Sequence, residues 1–466
     1  MNRKWWTLAG ACAGLFVLML DSTVVALALP EIRHDVGASA EGLQWVMNGY
    51  LLTIAVLVVT AGRLGDMFGR KRVFVGGMTL FAVGSVLSGA ADDQVALIAG
   101  RVLQGFGAAP MLSLSLALVC NVFPSEEQPR ALGIWAAVSA VALAVGPLAG
   151  GLLIELDWRV IFWMNLPVCA FGIAITLAAA PESTDPGAGS RIDWAGLAAL
   201  SAGLTAVVLA LVQSQSWAAE FVLALGAAGL LSLLAFWAIE RRVREPIVDF
   251  ALFRNGPYFG ASAAAFCLVG SYWAVMFFQP QYLQDVRDHS PILSGLMILP
   301  VTAPMIFISP FSGRLIGRFG ARRLMTVGML CGTVGLLVLT RIESDSPYVL
   351  LLAGYLLFGI ALGLVYAPMS TAAMAAMPGE KVGIASGVLA MDRVLAGAVA
   401  LAATGAVFHA LLGDGHSFAA AIADSTWVVV VLCAIGAILT WAYVRDPGKP
   451  PEGEPHHHMH HKRFHL

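Results

Sequence analysis

Charge is scarce in this chain. Only 12% of its 466 residues are Asp, Glu, Lys or Arg, against roughly 25% in a soluble globular domain, and that excludes an ordinary soluble fold. The formal net charge of −2 gives no excess of positive charge for nucleic acid, so no such partner is expected. Cysteine is also sparse. Cys12, Cys120, Cys169, Cys267, Cys331 and Cys433 stand singly in or beside apolar stretches, which excludes a disulfide framework and metal-ligand spacing. No nucleotide-binding motif, nucleophile–base constellation or cluster of catalytic carboxylates is present. The chain is therefore read as no enzyme, with no cofactor and no metal.

Apolar length is what it has instead, with 59% of residues hydrophobic. A helix needs about 20 mostly apolar residues to cross the hydrocarbon core. Spans are predicted near 6–30, 44–62, 73–91, 95–119, 131–154, 160–180, 194–214, 219–239, 257–280, 292–312, 322–340, 347–370, 383–411 and 425–444. The first could be mistaken for a signal peptide, because Arg3 and Lys4 precede it. It is too long for one and carries Asp21 where a small-residue cleavage site would stand.

The basic residues test this count independently. With Met1 in the cytoplasm, 21 of the 27 Lys and Arg fall in inside loops or tails, four outside (Arg33, Arg159, Arg287 and Arg341) and two within spans. Such a bias fixes orientation, and a wrong number of spans would scramble it. Both termini are expected in the cytoplasm of a plasma (inner) membrane protein.

Two loops repeat. Gly62-Arg63-Leu64-Gly65-Asp66-Met67-Phe68-Gly69-Arg70-Lys71-Arg72 follows the second span, and Gly313-Arg314-Leu315-Ile316-Gly317-Arg318-Phe319-Gly320-Ala321-Arg322-Arg323 follows the tenth. The chain therefore reads as a duplicated half: an all-α integral membrane protein of two pseudo-symmetric six-helix bundles with an inserted two-helix pair. Residues 1–180 form the first half, 181–256 a linker carrying helices seven and eight, 257–444 the second half, and 445–466 a disordered His-rich cytoplasmic tail. Pro, Gly and Ser in 181–190 suggest a flexible connector. Repeated halves place a substrate site between them, near the midplane.

These residues resemble the major facilitator superfamily, in particular its fourteen-helix drug:proton antiporter branch of multidrug and antibiotic exporters, over nearly the whole chain. The Gly62–Arg72 loop is similar to the family's signature between helices two and three, departing at Met67, where a basic residue is usual. Leu20-Asp21-Ser22-Thr23-Val24-Val25 through Pro30 resembles the helix-one signature of that branch. Arg101-Val102-Leu103-Gln104-Gly105 resembles the helix-four signature linked to proton coupling. Gly146-Pro147-Leu148-Ala149-Gly150-Gly151 resembles the helix-five signature of exporters, with Ala142 where a leading glycine often stands. Asp157-Trp158-Arg159 through Asn165 and Pro167 is also family-like. The resemblance implies export of small lipophilic or cationic compounds in exchange for protons, by alternating access, from a monomer in the lipid bilayer. An exporter of a single metabolite or self-made antibiotic, or a ligand sensor that moves nothing, stays open on sequence alone.

Four charged residues fall well inside spans, away from their ends: Asp21, Arg101, Asp392 and Arg393. Intramembrane charges are costly and mark substrate or proton paths by default. Asp21 is a proton carrier on this reading, or a structural carboxylate capped by Ser22 or Thr23. Arg101 cannot lose its proton. It either biases a nearby acid or snorkels to the interface. Asp392 is a proton site, a cation-substrate site or an ion-pair partner for another helix. Asn48, Tyr50, Gln104, Trp135, Trp273 and Gln279 are candidates to line a substrate cavity, as is Trp45, although tryptophan in membranes also anchors interfaces. Gly62, Gly65, Asp66, Gly69, Arg70 and Arg72 suit a conformational latch that also sets topology. Gly146, Pro147, Gly150 and Gly151 suit close helix packing and a kink.

Overall fold

The computed structural model describes residues 3–124, 126–184, 192–243, 246–378 and 381–445. Everything regular in it is helical. The first six spans are α1 (Arg3–Val36), α2 (Ala40–Phe68), α3 (Arg70–Gly89), α4 (Gln94–Val122), α5 (Gln128–Ile154) and α6 (Val160–Ala179). A hairpin follows, α7 (Trp194–Val212) and α8 (Ala219–Glu240). The rest are α9 (Gly256–Val286), α10 (291–319, in segments), α11 (Ala321–Leu339), α12 (Tyr348–Ala375), α13 (Val382–Gly413) and α14 (Phe418–Tyr443).

Among the described residues, thirteen of these helices are long and apolar enough to cross a membrane. The exception is α10. A continuous span was expected at 292–312, but the chain there runs as Pro291–Ile298, a 3₁₀ turn Leu299–Val301, Ala303–Ile308, a second 3₁₀ turn Ser309–Phe311, and Ser312–Phe319. Pro300 and Pro304 are the physical reason, since proline has no N–H to donate and its ring crowds the carbonyl four residues back. The first span is also longer than expected, from Arg3 to Val36 with Pro30 inside it.

α1 is the most enclosed helix of the first six, with α5, α6 and α4 packed on it; α9 holds the matching place among α13, α14 and α12. α2 packs against α13 and α5 against α10, and α7 touches both α2 and α13 beside that seam. Polar contacts join the two sets of helices at one end. Gln284 Nε2 donates to Leu27 O at 2.9 Å, Gln44 Nε2 lies 2.9 Å from His409 Nε2, and Arg33 sits 3.9 Å from Asp285.

α5 uses two faces for two neighbours. A methyl group on Gly146 would collide with Thr23 Oγ1, and one on Gly150 would lie 3.2 Å from Val24, both on α1. One on Gly151 would stand 2.8 Å from Ile292 Cα and Pro291 O, and Gly295 of α10 abuts Pro147 O. Residues four apart share a helix face, so 146/150 admit α1 while 147/151 admit α10. Small residues allow such close backbone approach in membranes.

The start of the expected flexible connector is held. Ser183 O accepts Arg70 N–H at 2.9 Å, and Glu182 Oε1 accepts Lys71 N–H at 3.0 Å. The first N–H groups of a helix lack internal partners, and Gly69, the residue before α3, has no side chain to cap them. Gly69 itself has φ +112°, a conformation glycine adopts without strain. Farther on, Asp249 ties the segment before α9 to Lys381 at 3.0 Å, and Asn255 Nδ2 donates to Ala376 O at 2.9 Å. The remainder of the connector, 185–191, and the His-rich tail from 446 on lie outside the described residues.

Candidate functional site

Asp21 sits in the middle of α1 with none of its surface exposed. Its Oδ2 accepts Arg101 Nη1 from α4 at 2.6 Å, and its Oδ1 accepts Asn165 Nδ2 from α6 at 2.9 Å and Gln104 Nε2 at 3.3 Å. Arg101 is equally buried. Its Nη1 also donates to Gln104 Oε1 at 2.7 Å and its Nε to Val46 O at 3.2 Å, while its guanidinium lies 4.1 Å from the Tyr50 ring centroid. α3 closes the network, with Ser85 Oγ accepting Gln104 Nε2 at 2.8 Å and Asn165 Nδ2 at 3.2 Å, and Ser88 donating to Gln104 Oε1 at 3.3 Å.

One carboxylate thus touches or indirectly binds α1, α2, α3, α4 and α6. Arg101 does not snorkel; it is wholly enclosed and paired. Taking both charges out of water costs several kcal/mol per ion, which a close pair with further hydrogen bonds offsets only in part. Arg101 Nη2 and Asn165 Oδ1 remain without a partner.

Of the sequence candidates, Asp21, Tyr50, Arg101 and Gln104 come together here. Asn48 is fully buried on α2, and neither amide atom has a hydrogen-bond partner. Trp135 lies apart, donating to Ser115 Oγ at 3.3 Å beside a small cluster of Leu8, Val119 and Phe123. In the second set of helices Gln279 Oε1 accepts Tyr355 OH at 2.6 Å, and Trp273 packs on Gly397. Asp392 is buried on α13 and accepts a hydrogen bond from Ser262 on α9. Neighbouring Arg393 turns to Ser370, 3.2 Å away, and to the Tyr366 ring, so the two adjacent charges serve different partners. Among the described residues Asp392 has no cation at ion-pair distance. Asn165, Ser85 and Ser88 carried no role in the sequence reading. The signal available was a lone amide at the start of span six and two hydroxyls three apart on α3, one helix face.

The expected Gly62–Arg72 loop is helical except at Gly69; it brings Arg70 within 2.8 Å of Asp66 one turn back and Arg72 within 3.6 Å of Glu182. Gly65 packs against Leu114, and Lys71 Nζ donates to Leu177 O at 2.7 Å.

A buried acid–arginine pair joins the first and fourth of many membrane-length helices. The family model described as Major Facilitator Superfamily matches residues 11–401. The chain belongs to the Major Facilitator Superfamily. It is a multi-pass membrane transporter, a carrier of small molecules and not an enzyme. Among relatives of this superfamily member, "Multidrug resistance protein Stp" of Mycobacterium tuberculosis is 36% identical over 418 residues, covering 88% of this chain and 77% of the relative. "Puromycin resistance protein pur8" of Streptomyces alboniger is 34% identical over 466 residues, covering 95% and 92%. The solved POT family transporter PepTSo superposes with a TM-score of 0.70 at 14% identity, over 95% of this chain and 98% of that one. That likeness speaks to the fold.

Proposed function

We propose that this transporter is a proton-coupled antiporter of the fourteen-helix drug:proton branch, exporting small lipophilic or cationic compounds by alternating access. The observation that carries the reading is the wholly buried Asp21–Arg101 pair at 2.6 Å. A proton on Asp21 cancels the charge that holds Arg101, Gln104 and Asn165, so the protonated and deprotonated forms favour different packings of the first-half helices. An exchanger needs that difference in affinity between two conformations. Asp392, buried with Ser262 as its partner, is the second carboxylate in the cycle, as proton or cation site.

On this reading 1–180 and 257–444 are the two moving halves, 181–256 carries the inserted pair, and the monomer lies in the plasma membrane with both termini in the cytoplasm. The contacts of Leu27 with Gln284, Gln44 with His409 and Gly151 with Ile292 then lie at the outer end, which suits an inward-facing state. Asn48, with an unpartnered amide, faces substrate. The Asp66–Arg70 pair and the Arg72–Glu182 pair act as the latch on the cytoplasmic side. Relatives named for multidrug resistance support a broad substrate range; a relative named for puromycin resistance supports the narrower reading of one dedicated compound.

The test is proton-driven transport in inverted vesicles with a panel of lipophilic cations and neutral antibiotics. Substrate addition releases protons with wild type and not with Asp21→Asn. Binding without movement of substrate or protons in wild type would remove antiport. Transport of one compound only would select the dedicated exporter.

A further inference from the structure

The inserted hairpin carries a pair of carboxyl groups that the proposed transport cycle does not use. Asp193 precedes α7 and caps it, with Oδ1 accepting Gly196 N–H at 2.8 Å. Glu240 ends α8, is only 4% exposed, and accepts Val248 N–H through Oε2 at 3.1 Å. The other oxygen of each group, Asp193 Oδ2 and Glu240 Oε1, is buried and has no hydrogen-bond partner. Both point at one place. A methyl group on Gly196 would collide with Asp193 Oδ2 and lie 2.8 Å from Glu240 Oε1, so the two oxygens converge on one spot beside Gly196 that has no room even for a methyl group.

Among the described residues no cation neutralises them. Glu240 itself lines a cavity of about 620 Å³ together with Arg241, Asp249 and Arg254. Arg241 stacks on Trp237 at 4.7 Å and Asp249 pairs with Lys381; among the described residues none makes an ion pair with Asp193 or Glu240. Two buried carboxylates that converge on one spot resist ionising together, because each negative charge raises the cost of the other. A protonated acid also supplies the O–H donor that both orphaned oxygens lack.

We propose that Asp193 and Glu240 form a proton-binding site that holds one proton between them, tying the start of α7 to the end of α8. The second oxygen of Glu240 extends the tie to Val248, in the segment that leads into α9. Loss of the proton places two negative charges at this joint and loosens the hairpin from that segment. The site therefore senses pH on the arginine-rich face of the protein, separately from Asp21 and independently of the transport reading.

The experiment uses the full-length protein in nanodiscs, with infrared difference spectra and thermal unfolding measured from pH 6 to pH 9. Glu240→Gln and Asp193→Asn both mimic the neutral acid and keep a hydrogen-bond donor, so either serves if the other fails to fold. At pH 7, wild type minus either variant is expected to show one protonated-carboxyl C=O stretch that disappears on alkaline titration. The melting temperature of wild type falls across that titration, and that of Glu240→Gln stays flat through it. A difference spectrum containing only ionised-carboxylate bands at pH 7 would overturn the proposal. So would stabilisation of wild type, and not of Glu240→Gln, by millimolar Na⁺ or Ca²⁺ at fixed pH, since a cation would then take the place of the proton.

Discussion

Asp21→Asn removes the charge from the buried network and leaves its shape. Arg101, with none of its surface exposed, is then a cation without a counter-charge. Breaking a buried pair by neutralising one partner costs about 3–5 kcal/mol. Asparagine keeps an acceptor for Arg101 Nη1, which puts the expected loss near the lower end, roughly 3 kcal/mol or about two powers of ten in the folding equilibrium. Thermal unfolding in detergent reads this as a clear fall in melting temperature. Adding Arg101→Gln removes the stranded cation, and neutral replacement of both members of a buried pair is often tolerated. The double variant should recover most of the lost melting temperature. Coupling should behave oppositely: substrate-induced proton release is lost in Asp21→Asn and stays lost in the double variant, because no carboxyl group remains in that network. A double variant no more stable than the single would refute the electrostatic account. Proton release returning with stability would show that Asp21 is structural and that protons travel elsewhere.

Three further expectations concern packing and pH. Gly146→Ala should destabilise the protein by about 1–3 kcal/mol through overpacking against Thr23, lowering its melting temperature. Gly151→Ala meets the backbone of Pro291 and Ile292 instead; it should open the α5–α10 seam and raise thiol labelling of Ser294→Cys with little change in melting temperature. Burial pushes the Asp249 carboxyl up, but the hydrogen bond from Lys381 and the Ala251 N–H outweigh it and hold its pKa below the ordinary aspartate value. A depressed folded-state pKa gives stability that is present above the unfolded value and lost as pH falls through the folded one. Asp249→Asn should therefore flatten the acid limb of a pH–stability profile in the range below about pH 4; an unchanged limb would remove this pair from the account.

The site was legible in part. Asp21 and Arg101 announced themselves because a charge inside an apolar run has no cheap explanation, and an arginine that had snorkelled would have sat near an interface. Asn165, Ser85 and Ser88 did not, because amides and hydroxyls occur throughout membrane helices and their meaning rests on what faces them. Trp135 and Gln279 looked like cavity residues from their chemistry; Trp135 packs beside a side cluster and Gln279 Oε1 accepts Tyr355 OH.

By itself the sequence determined what local composition controls. Apolar length set the number of spans, because a backbone in lipid must satisfy its own hydrogen bonds. The paired Gly-Arg segments suggested a repeat, and the apolar run at 292–312 suggested a continuous span that Pro300 and Pro304 break. Only the tertiary structure decided which residues meet. The residues of the Asp21 network come from five helices, up to 144 positions apart, and Asp193 and Glu240 face each other only because α7 and α8 fold back as a hairpin. Helix periodicity gives the direction of a side chain but not its neighbour, and the neighbour decides whether a buried charge is paired, shared or left free.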